Sequence, residues 1–265
     1  MNYGLKKTKR DPRDFSYHKT FGAIDLKLPD EYVLDEATVK NQYGSMFCTA
    51  FASCVLAQLE DGIDFSPEWF YSKEVEISGQ MDGQDLRTAC KAAKKYGFLP
   101  QDKAQFDLTT KDPECLANPS NWPISDELAA APYKKKSYFQ VKGDFDQIKQ
   151  VLFNNAPAKR AILTGVDWGE GWEAAPGGVI KNYTATGSLH AVPIIGFKQD
   201  YIILQNSYGK EIGDNGKFYV PRGVFAQAFT EPLYMFVDTD NTTVPKPVGN
   251  WFQILTQNIC QLAHR

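Results

Sequence analysis

The chain has few cysteines and histidines, and what it has is badly placed for metal. None of the five cysteines (Cys48, Cys54, Cys90, Cys115 and Cys260) stands at C-x-x-C spacing, and an odd number cannot all pair within one chain. That spacing disfavours cysteine-bound metal and a disulfide framework, and a reducing, cytoplasmic compartment is the expectation. The three histidines, His18, His190 and His264, are isolated and offer no metal cluster, so no metal and no cofactor is expected. No apolar run approaches the roughly 20 residues needed to span a bilayer. Residues 1–15 are polar and charged, without the apolar core of a secretory signal. Basic residues are not in excess: 29 Lys and Arg stand against 32 Asp and Glu, for a net charge of −3, which points away from nucleic acid and from anionic membrane surfaces as partners. Internal repeats and low-complexity tracts are also missing.

What is present is core material. Forty-three per cent of 265 residues are hydrophobic and 13% aromatic, enough for one large domain or two modest lobes sharing an interface. Residues 1–40 read as extended and irregular, with turn signals at Asp11-Pro12 and Leu28-Pro29-Asp30, a short strand at Tyr32–Leu34, and solvated charges at Asp11, Arg13 and Asp14. Helical periodicity follows over Cys48–Glu60 with Gly62 as its stop, then from Ser66-Pro67, then over Gln84–Tyr96 with Gly97 closing it. Residues 100–132 carry five prolines and read as a surface connection with a short helix near Ser125. Strands then dominate: Lys134–Val141, Ala161–Val166, His190–Phe197, Tyr201–Gln205 and Lys217–Val220, with one helix capped by Asp144 and running to about Asn154. Helices in one half and antiparallel strands in the other define an α+β class. The expected division is an N-terminal extension over 1–28, a domain over 29–238 (helical lobe about 42–130, β lobe about 131–238) and a linker with an amphipathic helix over 239–265. In that last helix Trp251, Leu255, Ile259 and Leu262 form one stripe, which either packs on its own domain or docks residues 250–262 on a partner chain or a second copy.

One stretch organises the rest, Asn41-Gln42-Tyr43-Gly44-Ser45-Met46-Phe47-Cys48. It reads as a tight turn feeding a helix that starts at about Cys48. A thiol there meets the positive end of the helix dipole and unpaired N–H groups, which favour thiolate. Gln42 can fold back to offer an amide donor beside the sulfur, with the Cys48 N–H as the second. Far downstream, His190 opens one strand of a hairpin, and sixteen residues later Asn206 ends the other. Those ends are neighbours, so the carboxamide can orient the imidazole as a general base requires.

Gln42 with Cys48, His190-Ala191-Val192, and Asn206-Ser207-Tyr208-Gly209 followed by Gly213 and Gly216 occur in the order and spacing of the papain-like cysteine peptidases, which the chain resembles over roughly residues 29–238. The resemblance implies a two-lobe fold with a cleft between the lobes and a polypeptide substrate. Cys48 would be the nucleophile, His190 the base, Asn206 its orienter and Gln42 an oxyanion donor. It also implies that Tyr208 shields the His190–Asn206 contact, that Asp82 and Gly83 flank an extended substrate, and that Ala191 lines the main specificity pocket. Trp168 and Trp172 either line the leaving-group side or pack their own loop. The short leader resembles microbial and phage-type members, and residues 1–27 can still lie across the cleft.

The sequence departs from that pattern beside the nucleophile. Ser45, Met46 and Phe47 stand where the family has Cys-Gly-Ser, Thr49 follows the nucleophile in place of Trp, Leu189 replaces Asn or Asp before the histidine, and Tyr208 replaces Trp. Met46 and Phe47 are expected to crowd the cleft. Two alternatives to an active endopeptidase therefore stand. One is a restricted or inactive papain-fold component of an assembly such as a virus or phage particle; the other is an amide hydrolase acting on cell-wall peptides.

Overall fold

The computed structural model of the chain describes residues 3–9, 11–22 and 24–238. The amphipathic stripe expected at 250–262, with Cys260 and His264, lies outside them. In chain order the elements are α1 (Tyr17–Phe21), β1 (Glu31–Val33), α2 (Cys48–Asp61), α3 (Pro67–Ser78), α4 (Leu86–Lys95), α5 (Pro113–Ala117), α6 (Ile124–Ala130), β2 (Ser137–Val141), α7 (Phe145–Asn154), β3 (Ile162–Asp167), β4 (Leu189–Lys198), β5 (Tyr201–Gln205), β6 (Lys217–Pro221), α8 (Arg222–Ala228) and β7 (Leu233–Val237). The strands form one antiparallel sheet in the order β2-β7-β3-β4-β5-β6, with β1 paired to β4.

Local chemistry sets the helix ends. The Ser66 hydroxyl accepts the Trp69 N–H, and Pro67 sits in the first turn of α3. Asp85 caps α4 through Arg87 and Thr88, so α4 starts two residues later than the periodicity suggests: the side chain of Asp85 takes up the first N–H groups. Gly62 ends α2 in the left-handed region. Alternation along the strands then sorts side chains to two faces. Leu163, Ala191 and Ile195 turn to one face of the sheet, against α2, α3 and α4. Ile162, Val192 and Ile194 turn to the other, against α7 and α8. The fold is thus α+β, with a helical lobe and a stranded lobe. Gly196 lies where a Cβ would sit 2.3 Å from the Tyr32 carbonyl oxygen, so only glycine lets β1 pair this closely with β4.

Two expectations need correction. Asp11 and Asp14 are not solvated: their carboxylates take Arg87 of α4 at 2.6 and 2.9 Å, and Asp14 also accepts the Tyr234 hydroxyl at 3.1 Å. They tie the leader to both lobes. Residues 100–132 are not merely a surface connection, because Leu116, Ala117 and Trp122 are buried in the helical-lobe core.

Candidate active site

The turn before α2 is built by its sequence. Tyr43 and Gly44 both take positive φ (48° and 75°), and the Ser45 N–H closes onto the Gln42 carbonyl at 2.8 Å, as a type I′ turn demands. The Asn41 side chain accepts the Tyr43 N–H and steadies it. The segment is stitched to the loop after β5: Gln42 N–H to the Ser207 carbonyl at 2.8 Å, and Gly209 N–H to the Lys40 carbonyl at 3.1 Å. Gln42 is buried and held at both ends of its amide. Its Nε2 donates to the Ser45 carbonyl at 2.7 Å, and its Oε1 accepts the Ser207 hydroxyl at 2.6 Å. One Nε2 hydrogen remains for another acceptor.

Cys48 is the first residue of α2, which packs on β4. Its sulfur accepts the N–H of Ala191, the residue after His190, at 3.5 Å. The His190 ring nitrogen Nε2 meets Asn206 Oδ1 at 2.9 Å, while Nδ1 is buried without a hydrogen-bond partner among the described residues. Tyr208 stacks on the His190 ring at 5.1 Å with an 18° tilt, and Trp168 meets it edge-on at 5.2 Å. The His190–Asn206 contact is therefore enclosed by aromatic surface, where a hydrogen bond is stronger than in water. Trp168 and Trp172 are both buried.

Phe47 does not crowd the cleft. It is 2% exposed and stacks on Tyr71 at 3.9 Å, inside the helical lobe. The Tyr71 hydroxyl in turn accepts the Gly83 N–H and donates to the Met81 carbonyl, so this ring fixes the loop that carries Asp82 and Gly83. What fills the cleft is the leader. Leu5 pairs in parallel with Gln84, through Lys6 N–H to the Gln84 carbonyl and Gln84 N–H to the Gly4 carbonyl. Gly4 passes between Met46 and Gly83 so tightly that a Cβ on it would fall 2.2 Å from the Met46 carbonyl oxygen. The Tyr3 ring lies 5.2 Å from that of His190, and its hydroxyl donates to Glu173 at 2.9 Å. Lys6 reaches Gln80 and Asp82, and the Thr8 N–H donates to buried Glu231 at 2.6 Å.

The charge state of the site follows from its burial. Burial pushes the Cys48 thiol up to about 12, outweighing the N–H groups of Ala191, Thr49 and Cys48 itself, and Glu74 adds to the rise. Burial likewise takes His190 down to about 4, against the opposing pull of Asn206. The thiolate expected from the helix dipole is therefore not the form held here; desolvation wins over the dipole. Glu74, fully buried and bonded to the Thr49 hydroxyl at 2.7 Å, is pushed well up by the same cause.

A histidine whose folded value lies below 6.5 favours the fold fully above pH 6.5, and that contribution is lost as pH falls from 6.5 toward 4. The loss is about 3 kcal/mol over that window, or roughly 5–10 °C in Tm. Melting curves of the native chain and of His190→Gln should therefore converge as the solution is acidified. Parallel curves would show that His190 is not held neutral.

Sequence reasoning singled out Cys48, His190, Asn206 and Gln42, and the fold brings all four to one groove. It missed the contacts of Tyr3, Leu5, Tyr71 and Glu231 and the clamp role of Ser207. Only Ser207 had a local signal, in its place beside Asn206.

A thiol at a helix start, an imidazole on the strand it packs against and a carboxamide just past the next strand meet between a helical and a stranded lobe, an arrangement suited to thiol-dependent hydrolysis. Residues 38–234 match the model of the papain family cysteine proteases, and the chain belongs to that family: it is a papain-like cysteine peptidase. Cathepsin B-like CP1 of Giardia intestinalis is 25% identical over 223 residues, covering 77% of this chain and 70% of that protein. Xylellain, a cysteine protease from Xylella fastidiosa, superposes with a TM-score of 0.73 at 23% identity, covering 90% of this chain and 97% of that one. The Carica candamarcensis cysteine protease CMS1MS2 superposes with a TM-score of 0.62 at 17% identity, covering 80% and 100%. No helix among the described residues is long and apolar enough to cross a membrane.

Proposed function

We propose that the chain is an endopeptidase in which Cys48 attacks the scissile carbonyl, His190 takes and returns protons, Asn206 orients His190, and Gln42 with the Cys48 N–H receives the oxyanion. The single observation that carries this is the His190–Asn206 contact at 2.9 Å, under Tyr208 and Trp168, one residue from the N–H that touches the Cys48 sulfur. Among the described residues His190 Nδ1 has no hydrogen-bond partner, which leaves it for the thiol proton. In the step, the thiol proton passes to Nδ1, sulfur bonds to the carbonyl carbon, and the oxygen gains the charge. Collapse expels the amine, which takes the proton from His190, and water then releases the acyl group.

The leader belongs to the same reading. With Tyr3, Gly4 and Leu5 in the groove, the described conformation is latent, and substrate enters only when residues 3–8 leave. A peptide-library digest with the native chain and Cys48→Ala side by side tests the assignment. Cleavage by the native chain alone is the expected result. Equal cleavage by both would remove Cys48 from the mechanism. Release of amines from cell-wall fragments, with no library peptide cut, would replace the endopeptidase by an amide hydrolase.

A further inference from the structure

The groove between α4 and the leader, about 860 Å3, is lined by Arg13, Arg87, Lys91, Lys94 and Lys95 against two carboxylates, Asp14 and Glu76. That excess of cations stands in a chain whose net charge is −3. Both carboxylates are already engaged: Asp14 by Arg87 at 2.9 Å, Glu76 by Lys73 at 3.0 Å and by the Tyr96 hydroxyl at 2.7 Å. Lys91, Lys94 and Lys95 are exposed, and among the described residues none of them forms an ion pair. Arg87, Lys91, Lys94 and Lys95 fall at i, i+4, i+7 and i+8, so they share one face of α4, opposite buried Leu86, Ala89 and Ala93. Like charges at that spacing repel one another. The helix dipole favours cations in the last turn, which accounts for Lys94 and Lys95. It does not account for Lys91, nor for Arg13, which the leader brings to the same groove.

The leader shows how a chain lying in the cleft comes to this face. Leu5 pairs with Gln84, the Thr8 hydroxyl accepts the Leu86 N–H at 3.3 Å, and Asp11 and Asp14 reach Arg87 at 2.6 and 2.9 Å. A segment that leaves the cleft along α4 is thus acidic where it meets the first cation of the stripe. There the leader turns to β2, where the Phe15 carbonyl accepts the Gln140 N–H at 2.8 Å, and the three lysines beyond Arg87 are left unpaired. We infer that Lys91, Lys94 and Lys95 form an exosite on α4 that binds an acidic stretch of the substrate polypeptide, outside the cleft and about six residues or more from the part that lies on Gln84. Carboxylates brought there relieve the repulsion among the lysines and give each an exposed ion pair. Such pairs are individually weak, but a stretch tethered to a peptide already in the cleft makes them together. A basic stretch is rejected by like charge.

This inference rests on the peptidase reading, and two measurements keep the two apart. In the first, one cleavable core peptide is extended, upstream or downstream, by a Gly-Ser spacer of about six residues and then by a run of Glu, Gln or Lys. Its kcat/KM is measured with the native chain, with the triple variant Lys91→Gln, Lys94→Gln, Lys95→Gln, and with Lys91→Glu, Lys94→Glu, Lys95→Glu. With the run on one side, the native chain should prefer Glu over Gln by about five- to tenfold at low salt. The preference should lie mainly in KM, because contacts remote from the reacting bond are the same in ground and transition states. It should shrink as ionic strength rises, vanish in the Gln variant and turn toward Lys in the Glu variant. Lys159→Gln with Lys198→Gln, on the stranded lobe, should leave it unchanged. All five lysines are exposed, so the Gln-run peptide should be cleaved at the native rate throughout. In the second, the Glu-run and Gln-run peptides are titrated into Cys48→Ala with and without the three Gln changes, and Kd is read by calorimetry. If nothing is cleaved but the Glu-over-Gln ratio in Kd holds and depends on the three lysines, the peptidase reading falls and the exosite stands. No ratio in either measurement, one that survives the Gln variant, or one lost equally with Lys159→Gln and Lys198→Gln overturns the exosite.

Discussion

Replacing Leu5 with Asp should raise the rate at which iodoacetamide alkylates Cys48 at pH 7 by about 10²–10³-fold. In the native chain the thiol is fully buried and held near 12, with Tyr3 of the leader against the ring of His190, so reagent is expected to reach it only in the fraction of molecules whose leader has lifted. Leu5 is 6% exposed and is the leader's apolar anchor. Losing its burial costs about 2 kcal/mol, and an aspartate against Glu231 adds at least another 1–2 kcal/mol, since a charge must be buried beside a like charge. Together these shift the closed–open balance by about three to four kcal/mol, which sets the expected factor. Of the remaining ties, Lys6 to exposed Asp82 and Tyr3 to Glu173 are at the surface and resist little, and the backbone bonds of Gly4, Lys6 and Thr8 to Gln84 and Glu231 are exchanged for bonds to water on opening. The other cysteines supply the control. Half-exposed Cys115 should react at an unchanged rate, and buried Cys54 and Cys90 should stay protected. A rise shared by Cys54 and Cys90 would mean general unfolding. No rise at Cys48 would mean that the leader does not gate the sulfur. Acid works in the same direction, because His190 can take a proton only once it is rehydrated.

How much of this was legible beforehand divides along one line. Segments whose partners are near in sequence could be read. Ser66-Pro67 opened α3, Gly62 closed α2, and Tyr201–Gln205 became β5 with the expected bounds. The groove residues came from spacing: sixteen positions between His190 and Asn206 are the length of one hairpin, and a turn into a helix fixes Cys48 relative to Gln42. What could not be read were contacts between remote segments that have no repeating pattern. Thr8 with Glu231, 223 positions apart, is one. Asp14 with Arg87 and Tyr234 is another, and there the local charge run suggested solvent. Phe47 misled for a related reason: bulk beside a nucleophile reads as obstruction until Tyr71 is known to lie behind it. The charge state of Cys48 was missed because the helix dipole is visible in sequence, whereas the burial that overrides it is built by segments far apart along the chain.

Gln42→Ala should lower kcat by about 10²–10³-fold while changing KM little, because an oxyanion donor strengthens in the transition state and not in the ground state. The geometry adds a second, smaller expectation. Gln42 is useful only if its amide is oriented, and the orientation is set by the Ser207 hydroxyl on Oε1 and the Ser45 carbonyl on Nε2. Ser207→Ala removes the first of these and leaves a buried amide oxygen unsatisfied, so the amide can rotate. A loss of about tenfold in kcat is expected, and the double variant with Gln42→Ala should be no worse than Gln42→Ala alone, since residues acting through one another are not additive. Stability sorts the result from simple loosening of the turn: Ser207→Ala costs about 1–3 kcal/mol for the unpaired group, and that cost should be the same whether or not Cys48 is present. If instead the two losses in kcat multiply, Ser207 serves the site by a route other than Gln42. If Gln42→Ala is nearly silent, the oxyanion is received elsewhere and the groove's chemistry must be redrawn around the Cys48 N–H alone.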